Sequence, residues 1–196
     1  MPMIVRPREA FAVIWIAWVV SWLAAAAWAN RTLKRSITWD TVVYRVAIVA
    51  GAVLFTPWAA RRLAMPPLWD VGFAGAYALA GLTLFGLVFT WWARIHLGRL
   101  WSGSITRKEG HRVVDTGPYA LVRHPIYTGL IFALLASAMA AATVTALAAT
   151  ALLIFGFWRK ARAEERFLTA ELGADAYGAY RRRVPMLVPF TAIGRR

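Results

Sequence analysis

Long apolar runs alternate along this chain with short, cation-rich connections, and that alternation carries most of the fold information. Residues 11–29 hold no charged side chain. Rising about 1.5 Å per residue, such a helix crosses a hydrocarbon core about 30 Å thick. A second run covers 42–60, with Arg45 in its first turn and Pro57 near its end, and stops at Arg61-Arg62. Arg45 can snorkel to the headgroups and needs no chemical role. A third run covers 71–93, where Gly72, Gly75, Gly81 and Gly86 predict a small-residue face for close helix packing. Residues 126–158 are again uncharged. That is too long for one crossing of about 20 residues, so a helical hairpin reversing near 140–145 is expected, with two short arms.

The pattern therefore predicts an all-α, polytopic membrane bundle of about five spans. Residues 1–93 supply three spans, and residues 94–196 supply a polar loop, the hairpin and a C-terminal cap within the same unit. After Trp158 the sequence turns charged and amphipathic over 159–172, with Ala161, Glu164, Glu165 and Leu168 at helical spacing and Gly173 as a stop. A short helix over 174–183 follows. The proline-broken segment 184–190 cannot form a sixth span.

Composition agrees. The 196 residues are 60% hydrophobic and 16% charged, with eleven tryptophans, whereas a soluble domain carries about a quarter charged residues. Trp15, Trp18, Trp22 and Trp28 suit membrane interfaces. The net charge of +14 resides in the connections, as expected of a membrane protein beside anionic lipid, and gives no support to nucleic-acid binding. Counting cations in those connections puts the N-terminus outside, and the segment before residue 126 and the tail in the cytoplasm. The first run is too long for a cleaved signal. With no cysteine in the chain, disulfides, thiolate metal sites and a cysteine nucleophile are excluded.

Candidate chemistry concentrates in 110–127, which gathers His111, Arg112, Asp115, Tyr119, Arg123, His124 and Tyr127 between apolar runs. His124-Pro125 reads as a helix entrance, with Pro125 in the first turn. His124 could serve a ligand there, or simply cap the helix or meet a lipid phosphate. Glu164-Glu165 is unusual in so acid-poor a chain, yet it could equally be a solvated face paired with Arg159, Lys160, Arg162 and Arg166. Lys160 and Glu164 stand one turn apart. The three histidines, at 96, 111 and 124, lack the spacing of a zinc site, and no metal is expected. There is no dinucleotide fingerprint and no nucleophile elbow.

The order His111-x-Val113-Val114-x-x-Gly117-Pro118-Tyr119-x-x-Val122-Arg123-His124-Pro125-x-Tyr127, then Glu164-Glu165 and Tyr177-x-x-Tyr180-x-x-Arg183-Val184-Pro185, resembles the isoprenylcysteine carboxyl methyltransferase family. The related phospholipid methyltransferases share the Glu-Glu element. The likeness covers about 94–190, and the first two spans match only in being apolar. It implies an S-adenosylmethionine-dependent membrane methyltransferase with its cofactor on the cytoplasmic face. His111, Arg112, Val113, Val114, Tyr119, His124, Pro125, Ile126, Tyr127 and Glu164 would line that cofactor. Ser104 would join them, at a position where the family carries an amide. Lys160 falls where the family has a substrate-side arginine, with Arg159 beside it, and a lysine offers a point charge where arginine offers a fork. No residue is implied as a general acid or base. Positioning would rest on His124 and Lys160. The implied acceptor is a lipophilic small molecule or a prenylated thiol-acid. A phospholipid amine, a small thiol, or a non-catalytic lipid-binding scaffold are the other readings.

Overall fold

The computed structural model describes residues 6–28, 32–35, 38–63, 66–108 and 113–191. Its helices are α1 (Pro7–Ala24), α2 (Trp39–Leu54), α3 (Pro57–Leu63), α4 (Gly72–Leu97), α5 (Pro118–Leu121), α6 (Pro125–Ala141), α7 (Val144–Leu172) and α8 (Ala174–Arg183). A two-stranded antiparallel ribbon, β1 (Thr32–Arg35) with β2 (Thr106–Lys108), joins the connection after α1 to the one after α4. The two cation-rich connections therefore lie on one side of a helical membrane bundle.

Three helical stretches are long and apolar enough to cross a membrane: Pro7–Ala24, Gly72–Leu100 and Val144–Glu171. Of the five expected spans, the remaining two are shorter. The second stops at Leu54, because Pro57 cannot donate to the carbonyl four residues back and begins α3 instead. The α6 arm is 17 residues long, and the reversal falls between Ala141 and Val144 as expected. The other arm is not short. α7 continues unbroken for 29 residues, because Arg159 through Leu172 is rich in good helix formers with no glycine or proline before Gly173.

α4 lies along α6 and α2 along α7, with α1 against α4. The α4–α6 crossing is set by two facing glycines. A Cβ on Gly86 would meet the Gly129 carbonyl at 2.8 Å, and one on Gly129 would meet the Gly86 carbonyl at 2.6 Å. Gly72 and Gly81 face open space and Gly75 touches only Val71, so Gly86 alone of the four expected glycines packs another helix. Without a hydrophobic force between helices in lipid, such backbone approach supplies the dispersion contact.

α1 has no fully buried residue. It is fastened by indoles: Trp15 Nε1 donates to Ser137 Oγ at 3.1 Å and Trp18 Nε1 to Thr90 Oγ1 at 2.8 Å, and Trp91 Nε1 donates to Ser21 Oγ at 3.2 Å. Trp15 and Trp18 thus turn into the bundle, where a purely interfacial role was expected. Val13, Ile16, Val20 and Leu23 face outward on the same helix.

Gly129→Val is expected to lower the thermal midpoint in detergent, with a loss of about 1–3 kcal/mol from overpacking. Gly81→Val, which meets no neighbour, serves as the control and shifts the midpoint little.

Candidate active site

The polar segment enters its site through two short turns. Gly117 takes φ 56°, a conformation that a side chain resists, and the ring of His96 packs where its Cβ would stand. Pro118 then opens α5, Val122 and Arg123 run on, and His124 caps α6 with Pro125 as its first residue. The tail holds this entrance from outside. Arg123 N donates to Pro185 O at 2.8 Å, His124 N to Met186 O at 3.1 Å, and Thr128 Oγ1 to Leu187 O at 2.7 Å. The Tyr180 hydroxyl donates to Tyr119 O at 2.7 Å, and Tyr177, Tyr180 and Val184 pack with Val113 and Leu168.

His124 is buried and lies between two carboxylates of α7. Its Nδ1 stands 3.5 Å from Glu164 Oε2 and its Nε2 stands 3.3 Å from Glu165 Oε1. Burial alone would pull the imidazole pKa down, but hydrogen bonds and charge from Glu164 and Glu165 outweigh it and hold the group above its ordinary value. Burial likewise pushes the Tyr119 phenol up, so it stays neutral. The ring of His124 stacks on Tyr127 at 5.5 Å and 8°, and Tyr127 stacks on Phe157 at 5.5 Å and 11°. Tyr127 Oη also donates to Glu164 Oε1 at 2.7 Å.

The two glutamates have different surroundings. Glu165 is enclosed by cations: Arg123 Nε at 2.6 Å and Arg181 Nε at 3.3 Å. Arg123 further donates to Arg181 O at 3.1 Å and to Val184 O. This group ties α6, α7, α8 and the tail together. Glu164, about 100° away on the same helix, lines a cavity of about 270 Å³. Lys160 shares that cavity, with Nζ 3.9 Å from Glu164 Oε1, donating to Gly103 O at 2.9 Å, and lying over the Tyr127 ring at 5.3 Å.

Of the residues expected around a ligand, Ser104, Val113, Val114, Tyr119, His124, Pro125, Ile126, Tyr127, Lys160 and Glu164 all line this cavity. His111 and Arg112 lie outside the described residues. Arg159 does not line it. Its guanidinium pairs with Asp40 of α2, to which Arg166 also reaches. Residue 159 precedes Lys160 by about 100° on the helix, so the two cannot share a face. Trp18 and Trp22 of α1, with Trp101, form an apolar wall not anticipated from sequence. Trp15, Trp18 and Trp22 recur at i, i+3 and i+7, and that one-faced spacing was the available signal. Arg123, which also touches the cavity, carries no such signal beyond its place in the Arg-His-Pro run.

His124 makes stability depend on pH. Its raised folded value contributes stability that is complete below the unfolded value of about 6.5 and is lost as pH climbs through the folded value. Detergent-solubilised protein is expected to melt at progressively lower temperature as pH rises across that interval. In His124→Asn this slope should flatten; an unchanged slope would assign the dependence elsewhere.

Comparison with known proteins follows the same segment. Residues 79–170 match the isoprenylcysteine carboxyl methyltransferase (ICMT) family. Methanethiol S-methyltransferase 2 of Bradyrhizobium diazoefficiens is 37% identical over 123 residues, covering 62% of this chain and 42% of that protein. Protein-S-isoprenylcysteine O-methyltransferase B of Arabidopsis thaliana is 34% identical over 87 residues, 44% of each chain. Cobalt-zinc-cadmium resistance protein CzcN of Cupriavidus metallidurans is 32% identical over 104 residues, 50% of this chain and 46% of that one. The matched stretch spans less than half the length of each of these relatives. Residues 79–170, over which the chain is similar to the isoprenylcysteine carboxyl methyltransferase family, contain the helix entrance, the hairpin and both glutamates.

Proposed function

We propose that the chain is an integral-membrane methyltransferase that uses S-adenosylmethionine and methylates the anionic end of a lipophilic acceptor, working on the cytoplasmic face. The observation that carries this reading is one cavity combining a partly buried carboxylate, a partly buried ammonium and an indole-lined apolar wall (Glu164, Lys160, and Trp18, Trp22 and Trp101). The donor set fits the cofactor's charges. Glu164 can accept hydrogen bonds from its ammonium or ribose hydroxyls, and aromatic faces suit a purine. Bound there, S-adenosylmethionine supplies an electrophilic methyl on a positively charged sulfur.

The chain's own residues orient and desolvate. Both ring nitrogens of His124 are turned toward carboxylates, so its role is to hold Glu164, together with the Tyr127 hydroxyl, in one geometry. A carboxylate or thiolate acceptor attacks without a general base. Glu164 and the aromatic wall would hold the methyl donor while Lys160 would hold the anion facing it. Opposite charges are neutralised in that transfer, which a dry cavity favours. Lys160 is suited to guide the acceptor's anion as a point charge.

A small thiol is the second reading. It is favoured by the likeness to a protein named methanethiol S-methyltransferase 2 and by a lysine in place of a carboxylate-gripping arginine. Radiolabelled methyl donor offered with prenylated cysteine acids, alkyl thiols and phospholipid amines would separate the acceptors. Purified protein that binds no S-adenosylhomocysteine would defeat both readings and leave a lipid-binding scaffold.

Glu164→Ala is expected to weaken S-adenosylhomocysteine binding by about 2 kcal/mol or more, as a charged hydrogen bond is lost. Lys160→Met should instead raise the acceptor KM about tenfold and leave S-adenosylhomocysteine affinity nearly unaltered. Calorimetric titration together with initial rates would distinguish the two.

A further inference from the structure

The tail that straps the helix entrance ends in a surface with no use inside the protein. Val184 is buried, but Val188 is 60% and Phe190 90% exposed. Pro185 and Pro189 prevent a helix, and Thr191 Oγ1 donates to Val188 O at 2.7 Å, closing a turn that displays both side chains. Phe190 adopts φ 64°, an uncommon conformation for an aromatic residue. Nothing in the described fold covers its ring.

The depth of this turn is fixed by its hydrogen bonds. Pro185, Met186 and Leu187 accept from Arg123, His124 and Thr128, on either side of the first turn of α6. From Pro125 onward α6 holds no charged residue, so that turn lies where polar interface gives way to hydrocarbon. Val188 follows Leu187 directly, and the bond from Thr191 to Val188 keeps Phe190 in the same turn. Just before them, Arg181, Arg182 and Arg183 end α8, all exposed. Arg181 and Arg183 spend one contact each on Glu165 and Asp115 and keep outward donors. An apolar pair beside three guanidinium groups matches a leaflet that offers acyl chain and negative headgroup together.

We propose that segment 184–190 is an interfacial anchor, seated in anionic lipid with Val188 and Phe190 inserted and Arg181–Arg183 on the headgroups. Because the same segment holds the backbone of Arg123 and His124, the leaflet steadies one wall of the cavity.

The cysteine-free sequence allows a single-site test in the full chain. Phe190→Cys is labelled with a polarity-sensitive nitrobenzoxadiazole dye and reconstituted in phosphatidylcholine vesicles, with or without phosphatidylglycerol. The expected result is blue-shifted emission, protection from aqueous iodide, and stronger quenching by shallow than by deep doxyl lipids. Phosphatidylglycerol should strengthen these effects, and Arg182→Glu should cancel that gain. Free access of iodide to the dye would overturn the proposal. So would protection from iodide and doxyl lipid alike, which means cover by protein. Lipid quenching indifferent to both phosphatidylglycerol and Arg182→Glu would overturn it as well.

Discussion

Two consecutive carboxylates on α7 flank one buried imidazole, and the rest of the site depends on that arrangement. Neighbouring positions on a helix differ by about 100°, so Glu164 and Glu165 approach opposite nitrogens of His124 from one helix. A charge removed from water is costly unless it is paired. Glu165 is balanced by Arg123 and Arg181, and those arginines belong to the loop and to α8. Satisfying one buried carboxylate therefore fastens the cap onto the bundle. Glu164 needs less of this enclosure, having Tyr127, His124 and Lys160, and it stays turned to the cavity. One acid is enclosed by arginines, and its neighbour lines the cavity.

Much of this was legible in the chain. The helix entrance at His124-Pro125, the stop at Gly173 and the short helix over 174–183 follow from local rules about proline, glycine and charge, and the reversal expected near 140–145 follows from the length of the uncharged run. The Glu-Glu element was visible as an oddity of composition. Its division of labour was not, because which carboxylate faces inward depends on the rotation of α7, and α2 and α6 set that rotation. The same blindness affected Arg159. Sequence placed it beside Lys160, but Asp40, 119 positions earlier, claims it. The ribbon between β1 and β2 was equally unreadable, since three or four residues carry too little periodicity to announce a strand.

α1 illustrates how a lipid solvent changes the reading of tryptophan. Indole at a helix end ordinarily marks the interface. Here Trp15 and Trp18 turn inward and donate to Ser137 and Thr90, supplying, with the bond from Trp91 to Ser21, the polar links of a helix with no fully buried residue. Trp18, together with Trp22, then becomes wall for the cavity. The first span, which resembles the family only in being apolar, closes a site whose charged groups all come from elsewhere.

The unbroken course of α7 has a mechanical meaning. With no glycine or proline between Val144 and Leu172 other than Gly156, the helix is a stiff rod about 43 Å long, part in hydrocarbon and part beyond it. Its apolar half and its acidic end therefore move as one body. One continuous helix carries both the hydrocarbon-facing half of the hairpin and the two glutamates beside His124.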